Sequence, residues 1–318
     1  MSLTKLVSMF ILASLLPGFS AVPGSVDPTL HTVFDPNEPA QAVVIQSDGK
    51  FLAFGEFAHV NGSNQSGIVR LRIDGTTDPT FNVGNDFTVN RPYDATIGAD
   101  GRLLVSVITD SNPPAALLRR ATNGSPDATF ATVTFDNYTA HALVDSGGRI
   151  LVFGNFTNIF INGTAFARNF VARLNGNGTM DSSFQPAVIA NLEPYIAGVE
   201  SAVLQPDGKM IFGGFAWTSN SLRKVFRLNV DGSEDTNFVA ALGFDPGDGS
   251  HSIIHALALQ PDGKILVAGG DFMVRLNTDG SRDTNFAYTF TGGVAYQGKL
   301  LLQSSGKISF NRNYGVPS

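Results

Sequence analysis

Residues 260–286 decide the fold: Gln260-Pro261-Asp262-Gly263-Lys264-Ile265-Leu266-Val267, then Gly270-Asp271-Phe272, then Arg275-Leu276-Asn277-Thr278-Asp279-Gly280-Ser281-Arg282-Asp283-Thr284-Asn285-Phe286. The last block holds Arg, Gly, Asp and Phe at fixed offsets, and the same four types recur at those offsets four times upstream. The earlier copies are Arg70, Gly75, Asp78, Phe81; Arg119, Gly124, Asp127, Phe130; Arg173, Gly178, Asp181, Phe184; and Arg227, Gly232, Asp235, Phe238. Successive glycines (75, 124, 178, 232, 280) lie 49, 54, 54 and 48 residues apart, a period that suits one four-stranded blade of a β-propeller.

Each repeated Gly follows Asp or Asn: Asp74, Asn123, Asn177, Asp231, Asp279. That dipeptide predicts a three-residue hairpin loop, a type I turn closed by a left-handed glycine. A loop over 73–75 sets Arg70 directly opposite Asp78 on the facing strand, so the eight-residue offset predicts a cross-strand ion pair in every copy. A second turn signal lies upstream, in Gln46-Ser47-Asp48-Gly49-Lys50, Gln205-Pro206-Asp207-Gly208-Lys209 and the Gln260 copy. Degenerate forms occur at Asp100-Gly101-Arg102, Gly147-Gly148-Arg149 and Ser305-Gly306-Lys307. Short apolar runs such as Ala42-Val43-Val44-Ile45 and Phe51-Leu52-Ala53-Phe54 flank it and read as strands buried on both faces. Each unit thus reads strand a, tight turn, strand b, variable loop, strand c, tight turn, and strand d ending in Phe. Phe81, Phe130, Phe184, Phe238 and Phe286 are placed to join neighbouring blades.

The string Gln-Pro-Asp-Gly-Lys-Ile-Leu-Val, then Gly-Asp-Phe, then Arg-Leu-Asn-x-Asp-Gly-Ser-x-Asp-x-x-Phe resembles the delta-60 repeat. Residues 260–286 carry it almost intact, and Gly55-Glu56-Phe57 and Gly154-Asn155-Phe156 match its central motif. The resemblance spans roughly residues 24–310 and implies a β-propeller-like domain of exported, mostly bacterial proteins; it brings no settled activity. The second copy departs most, with Val105-Ser106-Val107 in place of the central motif, which predicts an irregular blade.

Bulk composition agrees with an all-β chain: hydrophobic residues are 43%, charged residues 15%, with 34 Gly and 25 Phe among 318 residues. The absence of Cys excludes disulfides and thiolate sites, and a net charge of -6 argues against nucleic acid as a partner. At the N-terminus, Lys5 precedes an apolar run over residues 6–16 that ends at Pro17, and small residues Gly18 and Ser20 follow. This predicts a signal peptide over 1–20 and one propeller domain over 21–318, secreted, periplasmic or at the cell surface. No span is expected in the membrane after cleavage. Gly24, Asp27 and Leu30 share the offsets of Gly, Asp and Phe in the repeat, so the N-terminus offers a lone strand d. With Leu300-Leu301-Leu302 and Ile308-Ser309-Phe310 it would complete a composite sixth blade, removing two open sheet edges.

Function is expected where the repeat varies. The b–c loops (58–66, 157–170, 216–223) and d–a loops (82–93, 131–139, 185–199, 239–254) differ in length and composition, and form the expected binding face. Trp217, Phe160, Phe166 and Tyr195 are its aromatic ligand-binding candidates. Few carboxylates fall outside the repeat, such as Asp35, Asp86, Asp94, Asp136, Asp245 and Asp248, the five glutamates being Glu38, Glu56, Glu193, Glu200 and Glu234. His251 and His255 could share a strand face, but no third ligand is recognisable. Asp245 and Asp248, in Asp245-Pro246-Gly247-Asp248-Gly249, are the candidates for calcium; no other cofactor is expected. Asn61, Asn64, Asn123, Asn137, Asn155, Asn162 and Asn177 begin Asn-x-Ser/Thr sequons, several of which are Asn-Gly turns. The expectation is a module binding protein or glycan; the alternative is a hydrolase or lyase acting on polysaccharide with carboxylates at the channel mouth.

Overall fold

The computed structural model describes residues 32–34, 40–84, 86–87, 90–110, 112–138, 140–186, 198–215, 217–218, 221–222, 225–243, 254–269, 272–287, 300–302 and 308–310. All regular structure among them is β, and no helix is long and apolar enough to cross a membrane. The expected signal segment and Gly24, Asp27, Leu30, Tyr195, Asp245 and Asp248 lie outside the described residues.

The strands recur in step with the repeat. The first repeat has β1 (Ala40–Ile45), β2 (Phe51–Gly55), β3 (His59–Val60), β4 (Ser63–Asn64) and β5 (Ile68–Leu71). The second has β6 (Arg91–Ile97), β7 (Leu103–Ile108), β8 (Ala115–Arg120) and then β9 (Val133–Phe135). The third has β10 (Ala140–Val144), β11 (Ile150–Gly154), β12 (Asn158–Ile161), β13 (Thr164–Ala167) and β14 (Val171–Leu174). The fourth has β15 (Gly198–Leu204), β16 (Met210–Phe215), β17 (Trp217–Thr218), β18 (Ser221–Leu222) and β19 (Val225–Leu228). The fifth has β20 (Ile254–Leu259), β21 (Ile265–Gly269) and β22 (Met273–Leu276), and β23 (Leu300–Leu302) and β24 (Ile308–Phe310) follow.

The chain divides into two compact units. One is Met1–Gly148 with Phe160–Thr164 and Gly176–Gly178; the other is Arg149–Ile159, Ala165–Asn175 and Thr179–Ser318. In the first, β1, β2 and β5 form one antiparallel sheet, and β6, β7, β8 and β9 are paired in that order. In the second, β11 pairs with β14, and β15-β16-β19 and β20-β21-β22 are three-stranded antiparallel sheets. Strands β23 and β24 pair as a hairpin.

The apolar runs of the middle strands are buried along their whole length, as strands covered on both faces must be. Alternation sends neighbours to opposite sides. Leu52 and Phe54 join Phe81 and the second repeat's Leu103, Val105 and Val107, while Phe51 and Ala53 pack with Phe57, Val60, Val69 and Leu71. In the second unit Ile211 and Phe238 pack with Ile254, Ile265, Val267 and Val274 of the following repeat. Withdrawing one such Phe from water stabilises by roughly 2–3 kcal/mol.

The fourth strand differs from expectation. Directly after each c–d turn a single residue forms a bridge, Thr77 to Leu71, Pro126 to Arg120, Met180 to Leu174, Glu234 to Leu228 and Arg282 to Leu276, and only in the second repeat do the described residues return to the third strand, as β9 on β8. The following Asp N–H still donates to the Arg carbonyl, but the chain then bends, with Phe81 N–H donating to the Asp78 carbonyl at 3.2 Å. Asp78 Oδ1 takes the N–H and hydroxyl of Thr80, a side-chain turn that competes with further sheet pairing. The second repeat, expected to be irregular, does depart from the others: among the described residues it has no short b–c hairpin like those of the first, third and fourth, Ser106 continues β7, and the expected loop at 131–139 contains β9. Composite closure is not visible among the described residues.

Candidate functional site

The repeated residues form one construction used five times. Arg70 Nε donates to Asp78 Oδ2 at 3.0 Å, and the equivalent bonds are Arg119–Asp127 at 2.9 Å, Arg173–Asp181 at 2.7 Å, Arg227–Asp235 at 2.9 Å and Arg275–Asp283 at 2.8 Å. Each guanidinium lies over its repeat's Phe, 4.6 to 4.8 Å from the ring centroid, at Phe81, Phe130, Phe184, Phe238 and Phe286. Four of the five also reach the next c–d turn. Arg70 Nη1 donates to the Thr122 carbonyl and Arg227 Nη1 to the Thr278 carbonyl, both at 2.7 Å; Arg119 and Arg173 donate likewise to Gly176 and Val230.

The a–b turn joins this construction, which sequence reasoning missed. The Lys or Arg after each Asp-Gly returns to the Asp of its own repeat: Lys50 to Asp78 at 3.2 Å, Arg102 to Asp127 at 3.4 Å, Lys209 to Asp235 at 2.7 Å and Lys264 to Asp283 at 2.8 Å. The signal was the cation held at a fixed place after the turn. Burial alone would raise the Asp78 carboxyl; bonds from Thr80 and Lys50 and the charge of Arg70 outweigh it and hold it far below the ordinary carboxylate range. The Lys264 ammonium, with Asn285 N–H and Arg275, brings Asp283 down to about 2. Asp127, Asp181 and Asp235 are lowered in the same way. These carboxylates are committed to holding strands and turns together.

The variable segments contain ordered hairpins. Asn61 and Gly62 have φ of 52° and 76°, and Asn162 and Gly163 have 49° and 81°, the pattern of a type I′ turn. Asn61 also accepts from Val33 N–H through Oδ1, as Asn162 does from Thr132. These Asn-Gly pairs, read in the sequence as part of sequons, were the signal for the hairpins. Phe160 in β12 and Phe166 in β13 are half-buried. Trp217 pairs with Leu222 across β17 and β18; its side chain lies outside the described residues.

A second group of non-repeated polar residues stands where first strands begin. Bulges fall there in β1, β6, β15 and β20, with Gln41, Tyr93, Glu200 and His255 as the extra residues. In the first unit, Asp94 Oδ2 lies 2.7 Å from His141 Nδ1, and Tyr93 packs edge-on to the His141 ring with its hydroxyl on the backbone of Ala140. Burial raises the Tyr93 phenol well above its ordinary value. In the second unit, burial lowers the His255 imidazole although the Glu200 charge opposes it. Among the described residues no three His, Asp or Glu side chains group closely enough to hold a metal ion.

Four segments, residues 46–81, 148–184, 205–238 and 260–286, match the model of a domain of unknown function (DUF5122) described as a beta-propeller. The chain therefore carries β-propeller-like repeats. No curated protein matches it in sequence. Among solved structures it is similar in fold to a calcium-binding protein, regucalcin, of Agrobacterium tumefaciens strain C58, with 14% identity over 72% of this chain and 68% of that one and a TM-score of 0.44. A gluconolactonase of Xanthomonas campestris gives 11% identity over 83% and 79%, TM-score 0.43. PorZ, a surface component of the type-IX secretion system of Porphyromonas gingivalis, gives 13% over 81% and 35%, TM-score 0.47.

Proposed function

We propose that the protein is an exported binding or scaffold module of delta-60-type repeats, closed into six blades, that engages a protein or glycan through its variable loops and hairpins. One observation carries this reading. The five Arg–Asp pairs and four of the a–b turn cations are spent on the scaffold, while the residues that change from copy to copy sit on b–c hairpins and at first-strand starts. A fixed frame with variable edges is the arrangement of a recognition protein.

The test is capture by the full chain, on a glycan array and from an extracytoplasmic extract, against a variant with Phe160, Phe166 and Trp217 replaced by Ala. The expected result is a ligand held by the parent and lost by the folded variant. Equal capture by both would overturn the assignment to these hairpins. A second reading, a hydrolase or lyase on polysaccharide, draws on the 2.7 Å contact of Asp94 with His141, since a carboxylate-oriented imidazole is acid–base machinery. It requires polysaccharide turnover that disappears in His141→Ala.

A further inference from the structure

We infer that the Asn162–Gly163 peptide, at the tip of the third repeat's hairpin, is a self-modification site where water converts Asn162 to aspartate and isoaspartate. The inference is independent of what the hairpin binds.

Asn-Gly occurs five times in the chain, at residues 61–62, 123–124, 162–163, 175–176 and 177–178. The pair is reactive because glycine has no side chain to shield its nitrogen from the neighbouring amide carbon. Loss of the Gly N–H proton lets that nitrogen attack Asn Cγ. The new N–Cγ bond closes a five-membered imide, and the Cγ–Nδ2 bond breaks, Nδ2 leaving with the proton as ammonia. Water then adds its hydroxyl to one imide carbonyl and its proton to the nitrogen. Opening at Cγ gives aspartate, and opening at the main-chain carbonyl gives isoaspartate. The fold decides which pair reacts: the glycine nitrogen must be free, the amide free to swing, and water at hand.

Three pairs are closed by the c–d turns. Gly124 N–H donates to the Ala121 carbonyl at 2.9 Å, and Asn123 Oδ1 accepts from the N–H and hydroxyl of Ser125. Gly124 and Gly178 are buried, and a Cβ on them would stand 2.8 Å from the Asn82 carbonyl oxygen and 2.9 Å from the Phe130 ring. Asn175 Nδ2 donates to Thr179 Oγ1 at 3.0 Å and to the Met180 carbonyl at 3.3 Å, while Arg119 holds the Gly176 carbonyl.

The hairpin tips are open. A two-residue type I′ loop bonds only its flanking residues and leaves the N–H of its glycine free. Gly62 and Gly163 accordingly have no hydrogen-bond partner among the described residues, are exposed, and have nothing within 4 Å of an added Cβ. The two tips differ at the leaving group. Asn61 Nδ2 donates to the Gly75 carbonyl at 3.1 Å and Oδ1 accepts from Val33 N–H at 2.8 Å, so this amide is pinned at both ends. The Asn162 amide is held by Oδ1 alone, which accepts from Thr132 N–H at 2.9 Å. Of the five pairs, only this one leaves nucleophile, leaving group and solvent access open together.

The experiment incubates the full chain in mildly alkaline heavy-oxygen water and follows uptake of the label by peptide mapping with mass spectrometry. The chain is made in a host without N-glycosylation, because Asn162 begins a sequon. In the native protein Asn162 should convert first, about fivefold or more ahead of Asn61, the factor set by one further hydrogen bond of ordinary strength. Asn123, Asn175 and Asn177 should trail further. In urea that unfolds the chain the five rates should converge, since the reacting dipeptide is then the same everywhere. A native lead by any other pair, no conversion of native Asn162 while the unfolded chain converts, or an Asn162 lead that persists in urea overturns the inference.

Discussion

Replacing Arg227 by Ala removes the guanidinium that joins the fourth repeat to itself and to the fifth. It deletes the bonds to Asp235 at 2.9 Å and to the Thr278 carbonyl at 2.7 Å, and the contact 4.6 Å above Phe238. The remaining Asp235 carboxylate is only 4% exposed. Breaking a buried ion pair from one side costs about 3–5 kcal/mol, because the surviving charge is left in a poor solvent. Lys209, 2.7 Å from the same oxygen, stays in place and sets the cost at the lower end, about 3 kcal/mol. The double variant Arg227→Ala/Asp235→Asn should recover about 1 kcal/mol, since no carboxylate is then stranded. Urea unfolding read by fluorescence of Trp217, the single tryptophan of the chain, gives both numbers. An Arg227→Ala variant within about 1 kcal/mol of the parent, or a double variant less stable than the single one, would refute the reasoning.

Two further outcomes follow from the same construction. Folding lowers Asp283 to about 2 from an ordinary value of 3.8, and Asp78, Asp127, Asp181 and Asp235 in the same direction, so each stabilises the folded state fully above pH 4. The melting temperature should therefore hold from pH 7 to about 5 and fall steeply between about 4 and 2; a fall that begins near pH 6 would point to histidines instead. Gly280→Ala should cost about 2–3 kcal/mol, because its φ is +92° and the new Cβ would come 2.8 Å from the Val239 backbone. Gly148→Ala, at φ +78° in open space, should cost about 1 kcal/mol; equal costs in chemical denaturation would show that the close approach is unimportant.

Local chemistry made much of the frame readable. Asp-Gly and Asn-Gly turns fix their own loop length, loop length fixes register, and register brings Arg70 to Asp78. Properties that depend on tertiary competition were harder to read. Strand d looks like a strand in sequence, yet Asp78 captures Thr80 and bends the chain after one bridge. Val133–Phe135 sits in a segment of irregular composition and becomes a strand only because β8 offers it an edge. Glu200 and His255 stand on bulges of β15 and β20, which no motif in the sequence announces. Asp94 and His141, 47 residues apart, meet only because consecutive repeats place their first strands side by side.

The reach of Arg70, Arg119, Arg173 and Arg227 into the following turn makes the array directional, each of these periods giving a donor forward to the next. Excising or duplicating one whole period would rejoin a donor to an equivalent carbonyl, whereas a cut at any other phase would orphan one of them. Variants of the chain with periods removed or added are therefore expected to fold when the change is a whole step of about fifty residues and to lose stability when it is not.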